Sequence, residues 1–351
     1  MKPRFGGVIV NRRKLLYCLS SLPAAFLAVP QVFSLEASQK QCADRADERS
    51  ERNAQSPSDR QLRVGIVGVV GVGVYHLDAV ARKLNFPCKT IAIETNIARL
   101  RWCHAEHDLL IGDHGMKPAT IRDAQQMGRD RKSDISRLFS GLDVAFILTG
   151  LNGTTGKGVT SVVAEALGEL GVFTIAVTPG CREVEAVRSL QRLVDIVFEV
   201  PYDVLMNEAR TTQKSSWREL VSASVAQICR VVTISLAKSG PTSMNAEELR
   251  SVLRGDNASV VGYGNGDGTE ACLAAFQAAS TSQLLGPDRV GASRGVVVFI
   301  EAKPGILKDT DTQIVRSRMN EIAKDRAKLH FSTFENECLS SDYRVTILSR
   351  G

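Results

Sequence analysis

No Cys-x-x-Cys pair occurs anywhere in the 351 residues, although eight cysteines are present. Cys18, Cys42, Cys88, Cys103, Cys181, Cys229, Cys272 and Cys338 are scattered. That spacing excludes a zinc ribbon or a disulfide framework, and the residues read as reduced thiols. A block of like charge is also missing. Lys and Arg number 44 against 38 Asp and Glu, a formal charge of +6. The basic residues are interspersed with acids, so the surplus supports solubility and gives no footprint for nucleic acid. Acid is absent from residues 1–35, where Lys2, Arg4, Arg12, Arg13 and Lys14 precede an apolar run broken by Pro23 and Pro30. Those prolines make the run a poor membrane-spanning helix.

Three readings fit residues 1–35: a membrane-associating extension, a targeting peptide, or a start site placed too far upstream. Residues 36–60, rich in alternating charge, Ser, Asn and Gln, read as a disordered linker. From residue 62 apolar strands alternate with helical patterns, which calls for a doubly wound, mostly parallel α/β sheet. Residues 61–214 form this first domain. A long apolar helix at 215–238 connects it to a second, α+β domain with a mixed sheet at 239–351.

The stretch that organises the chain is Thr149-Gly-Leu-Asn-Gly-Thr-Thr-Gly-Lys-Gly158. It follows an apolar strand at 144–148 and opens a helix, so the unpaired N–H groups of the helix start point into a turn of small residues. That arrangement suits an anion, most often phosphate. A second glycine turn, Gly71-x-Gly73, follows the strand at 62–68 and precedes a helix expected at 77–84. With Glu94 about twenty residues on, it also resembles a dinucleotide fingerprint, though His76 stands where the third glycine belongs. Cys103, His104, His107 and Asp108 have helical spacing for a metal cluster, and read instead as a polar helix end.

Several further stretches in the same order, among them 260–268, 282–285, 294–298 and 344–346, make residues 62–351 resemble FtsZ, the bacterial homologue of tubulin. The resemblance implies a Rossmann-like GTPase domain with a parallel sheet, a long central helix and a second α+β domain, here behind an N-terminal extension. It implies GTP or GDP as ligand, with Mg2+ reached through the phosphates. Gly71 and Gly73 fall on the family's first phosphate loop, and Gly115 and Lys117 on the loop that meets the γ-phosphate. Gly153, Thr155, Gly156, Lys157 and Gly158 fall on the tubulin signature. Glu183 and Arg188 take the ribose side, and Asp203 survives from a Pro-Asn-Asp motif. The family's base-reading aspartate falls on Ala223, which removes a hydrogen-bonding filter for guanine. In the catalytic loop Asn245 replaces one acid, while Glu248 keeps the other and remains able to orient water.

The implied function is a filament-forming cell-division protein with slow, assembly-dependent GTP hydrolysis. Its partner would be itself, head to tail, or another FtsZ-like protein. It would act in the cytoplasm at a division site, with membrane contact through the N-terminal extension. Two alternatives stand beside this reading: a catalytically degenerate paralogue that acts as a structural partner, and a dinucleotide-dependent oxidoreductase.

Overall fold

The computed structural model describes residues 62–112, 117–181, 183–213, 215–237, 243–286, 289–323 and 326–350. The expectations for residues 1–35, for the linker 36–60 and for Gly115 lie outside the described residues.

The first layer is a six-stranded sheet of β1 (Val64–Val69), β2 (Lys89–Glu94), β3 (His107–Leu110), β4 (Val144–Thr149), β5 (Phe173–Pro179) and β6 (Ile196–Val200). All its pairings are parallel, in the order β3-β2-β1-β4-β5-β6. Every residue of β1 and β4 is buried, as expected for strands covered by helices on both faces. Those helices are α1 (Val72–Ala81), α2 (Ile97–Trp102), α3 (Ile121–Arg129), α4 (Lys132–Phe139), α5 (Thr154–Glu169), α6 (Val184–Gln191) and α7 (Tyr202–Thr212). Strand order reverses between β1 and β4, whose ends lie in register at Val69 and Thr149. Both glycine turns therefore leave the sheet side by side at the topological switch point, where such folds hold ligands.

Helix α8 (Trp217–Ala237) passes between the two sheets. Its Val225, Ile228 and Val232 share one core with Phe146 and Phe198 of the first sheet and with Val297, Phe299 and Leu348 of the second. The second sheet comprises β7 (Val260–Gly266), β8 (Gly295–Ala302), β9 (Lys328–Glu335) and β10 (Tyr343–Ser349), in the order β7-β10-β8-β9. Around it lie α9 (Ala246–Leu253), α10 (Ala271–Ser280), the short α11 (Arg289–Ala292) and α12 (Asp309–Ala323). A buried network joins the halves. Arg230 of α8 makes a bidentate pair with the fully buried Glu301 of β8, and Gln227 donates to Thr346 Oγ1 at 2.6 Å.

The mixed second sheet and the alternating first domain match the sequence expectation. Several elements do not. Helix α1 begins at Val72, five residues ahead of the expected 77–84, because Gly73 serves close packing rather than an open loop: a Cβ there would stand 1.9 Å from the Leu148 carbonyl oxygen. Gly264 and Gly266, expected in a turn, belong to β7. A Cβ on either would meet the backbone of α10 at 2.5 or 1.9 Å. Cys103 caps the end of α2, but His107 and Asp108, expected at a polar helix end, lie in β3; α7, α11 and β9 are not expected from the sequence, and the expected polar helix before residue 141 divides into α3 and α4.

Candidate functional site

The start of α5 is open. Gly153 is its N-cap, no side chain caps it, and no acid lies in its first turn. The first N–H groups of any helix lack intrahelical acceptors and carry the positive end of its dipole. The glycines of this turn divide by purpose. A Cβ on Gly156 would meet the Gly150 carbonyl oxygen at 2.1 Å, and one on Gly158 would meet Ala124 Cβ of α3 at 2.4 Å, so both are required by packing. Around Gly153 nothing lies within 4 Å of such a Cβ, which leaves the turn clear where an anion would approach. Thr155 is half-buried beside it. The turn is tied to the loop after β5 by Asn152, which donates to the Gly180 carbonyl at 2.8 Å, and by the ion pair of Lys157 with Glu183.

The neighbouring turn is closed from below. Val70 and Gly71 both adopt left-handed backbone, with φ of 46° and 57°. The Gly71 N–H donates at 2.7 Å to Glu94 Oε2. Glu94 is fully buried, and its other oxygen accepts from Thr95 N at 2.8 Å and Asn96 N at 3.3 Å. Val70 packs on the core beneath the sheet and Val74 lies in the core shared with α8. Val72 covers Gly150, with its Cβ 3.2 Å from where a Gly150 Cβ would stand. Val72 thus fills the space beside Gly150, while nothing lies within 4 Å of a Cβ on Gly153.

Two cavities flank these turns. One, of about 1130 Å³, brings together Asn152, Glu183 and Asp203 with Glu199, Arg289 and Arg350. Burial pushes the Glu199 carboxyl up from its ordinary range, and Arg289 opposes the shift. The other, of about 650 Å³, runs from Gly71 and Val72 across Tyr75, His76, Tyr202 and Trp217. Tyr202 lines both. His76 is buried between Ser222 Oγ and the Tyr202 hydroxyl, each 3.1 Å from a ring nitrogen. Burial, aided by Arg218, pushes its pKa down to about 4, so the ring is neutral. Sequence reasoning missed this aromatic cavity, whose members come from four separate stretches of chain.

The remaining expected residues lie apart. Arg188 pairs with Glu185 on the exposed face of α6, and Lys117 is exposed. Asn245 and Glu248 line neither cavity. They form a capping box at the start of α9, in which Asn245 Oδ1 accepts from Glu248 N at 2.9 Å and Glu248 Oε2 accepts from Asn245 N at 2.9 Å. His104 Nδ1 lies 3.0 Å from Asp78, and among the described residues no three His, Cys, Asp or Glu side chains converge to hold a metal.

A parallel sheet that reverses at two glycine turns is thus joined by a buried helix to a mixed-sheet domain. No protein-family model matches the sequence. The cell division protein FtsZ of Neisseria gonorrhoeae is 27% identical over 310 residues, covering 82% of this chain and 78% of that protein. An FtsZ dimer from M. jannaschii superposes with a TM-score of 0.70 at 19% identity, covering 87% of this chain and 92% of that one. CetZ2 from Haloferax volcanii, solved as a GTPγS-bound protofilament, gives a TM-score of 0.63 at 16% identity over 83% of this chain and 93% of its own. The chain is thus similar in sequence to the cell division protein FtsZ and shares the fold of the FtsZ and CetZ structures.

Proposed function

We propose that this protein is an FtsZ-like cytoskeletal GTPase that binds GTP or GDP with the phosphate oxygens on the amides at the start of α5. It assembles head to tail with copies of itself in the cytoplasm, at a division site. The observation that carries this reading is the uncapped, acid-free first turn of α5 at the switch point of the sheet, clear of side chains around Gly153. Similarity to the cell division protein FtsZ, and to CetZ2 solved as a GTPγS-bound protofilament, supports it.

The donor set fits the ligand. Three to four orphan N–H groups and a helix dipole favour a polyphosphate. With no cluster of ligating side chains among the described residues, Mg2+ would be held through the phosphates themselves, where it would neutralise charge as the γ-phosphate leaves. Glu248 is the one carboxylate retained in the loop that would meet the next copy, and there it would orient water. In sedimentation with GTP the protein should form a pelletable polymer, and phosphate release per molecule should rise with protein concentration. Absence of both would overturn the reading.

The capping box gives a second reading some support. Glu248 has a helix to hold, so a filament partner without turnover would retain it as well. Polymer without phosphate release would favour that partner role. The oxidoreductase reading finds no such support: Glu94, the acid on which it rested, is buried against Gly71 rather than open to a ribose.

A further inference from the structure

Lys157 is the only cation in the stretch from Thr149 to Gly158. It is the fourth residue of α5, so its Cα lies about 4.5 Å along the axis from Thr154. A helical side chain leans back toward the N-terminus. Its flexible four-carbon stem therefore carries the ammonium toward the open first turn. The charge is already taken: Lys157, whose side chain is 19% exposed, pairs with Glu183 from the segment after β5. That segment is tied to the turn a second time, where Asn152 donates to the Gly180 carbonyl at 2.8 Å. Glu183 is the more open partner, at 51% exposure, and among the described residues its side chain makes no other ion pair.

Resting on the nucleotide reading above, we propose that Glu183 occupies Lys157 in place of a phosphate, and that a polyphosphate at the start of α5 takes the ammonium from it. A partly exposed ion pair contributes at most about 1 kcal/mol. A polyphosphate carries more charge than one carboxylate, and at the helix start it also meets the unpaired amides and the positive end of the dipole. The exchange therefore favours the ligand. Lys157 then binds phosphate directly, while Glu183 touches no ligand atom and acts only by competing for that lysine. Nucleotide affinity is held below what the turn alone would give, by the strength of the pair.

Calorimetric titration with inorganic tripolyphosphate and with GTP tests this on the full chain, on Glu183→Gln, on Lys157→Met and on the double variant. Glutamine and methionine keep the size of the side chains they replace, and the melting temperatures should stay close to native because a half-exposed pair adds little. Glu183→Gln should bind both ligands tighter, by up to about fivefold. Lys157→Met should weaken both by about tenfold or more, the usual size of a lost hydrogen bond from a charged donor. On the Lys157→Met background, Glu183→Gln should change affinity by less than about twofold, since the lysine through which it acts is gone. The full tightening persisting there would mean that Glu183 simply repels the ligand, and would overturn the inference. So would a Glu183→Gln variant that loses GTP but binds tripolyphosphate as before, which would put Glu183 on the sugar. Single variants that both bind normally would sink the exchange and leave nucleotide binding intact. If neither the native chain nor any variant binds either ligand, the nucleotide reading itself fails and this inference with it.

Discussion

Glu94 holds Gly71: the buried carboxylate accepts the glycine N–H at 2.7 Å, from the end of the neighbouring strand. The protein thus supplies its own anion to the first glycine turn, and only the turn at the start of α5 is left open to an external one. Val70 sits in left-handed backbone as part of this arrangement, a conformation a β-branched residue adopts only when its surroundings impose it. Glu94→Ala would leave the buried Thr95 N–H and the half-buried Gly71 N–H without their acceptor. It should cost about 3 kcal/mol or more, from roughly 1–3 kcal/mol per orphaned group, read as a lowered urea midpoint at unchanged slope.

Acidification should destabilise the fold through His76. Its folded pKa of about 4 lies below the ordinary 6.5. Between those values the unfolded chain binds a proton that the folded chain refuses. Stability is therefore full above about 6.5 and falls as pH drops toward about 4, by about 3 kcal/mol in all. Thermal melts at pH 7 and pH 4.5 should show the loss, and His76→Gln, which keeps a polar side chain but does not titrate, should flatten that part of the profile.

Arg230 and Glu301 cross between the central helix and the second sheet with almost no exposure. Removing one partner strands a buried charge, so Glu301→Ala should cost about 3–5 kcal/mol in chemical denaturation. The double variant Arg230→Met, Glu301→Leu should recover most of that loss, because an apolar pair of similar volume needs no desolvation.

Glu248→Gln separates the two duties of its residue. Glutamine preserves a capping box, so the melting temperature should hold, while a carboxylate needed to orient water would be gone. Phosphate release from the sedimentable polymer should fall by about a hundredfold, within the usual range for losing a general base. Unchanged release would leave Glu248 as a helix cap only.

The sequence was most legible where pattern and chemistry agreed. Strand β4, the turn after it and α5 were read from an apolar run followed by small residues, and the long apolar helix was read from its 3-and-4 spacing. The glycines were harder. Gly73, Gly264 and Gly266 look like turn residues in sequence, yet each lacks a Cβ because another backbone passes within 3 Å of where it would be. That is a tertiary fact with no local signature. The same holds for the cavity of Tyr75, Trp102, Tyr202 and Trp217, residues spread over more than a hundred positions and joined only by folding. The pairing of Lys157 with Glu183 was equally hidden: both were expected to face a nucleotide, and here they face each other.

Nucleotide binding at the start of α5 requires its first turn to stay open, and Thr154→Asp closes it with a charge. Thr154 is exposed at the first helical position, where an added carboxylate should favour the helix by about 0.5–1 kcal/mol through its dipole. The same charge would stand where a phosphate is held to bind. GTP titration of the variant against the native chain should show a slightly higher melting temperature together with an affinity lowered by about a hundredfold, the order expected for a like-charge clash of several kcal/mol. A variant that binds GTP as tightly as the native protein would show that the nucleotide does not sit there.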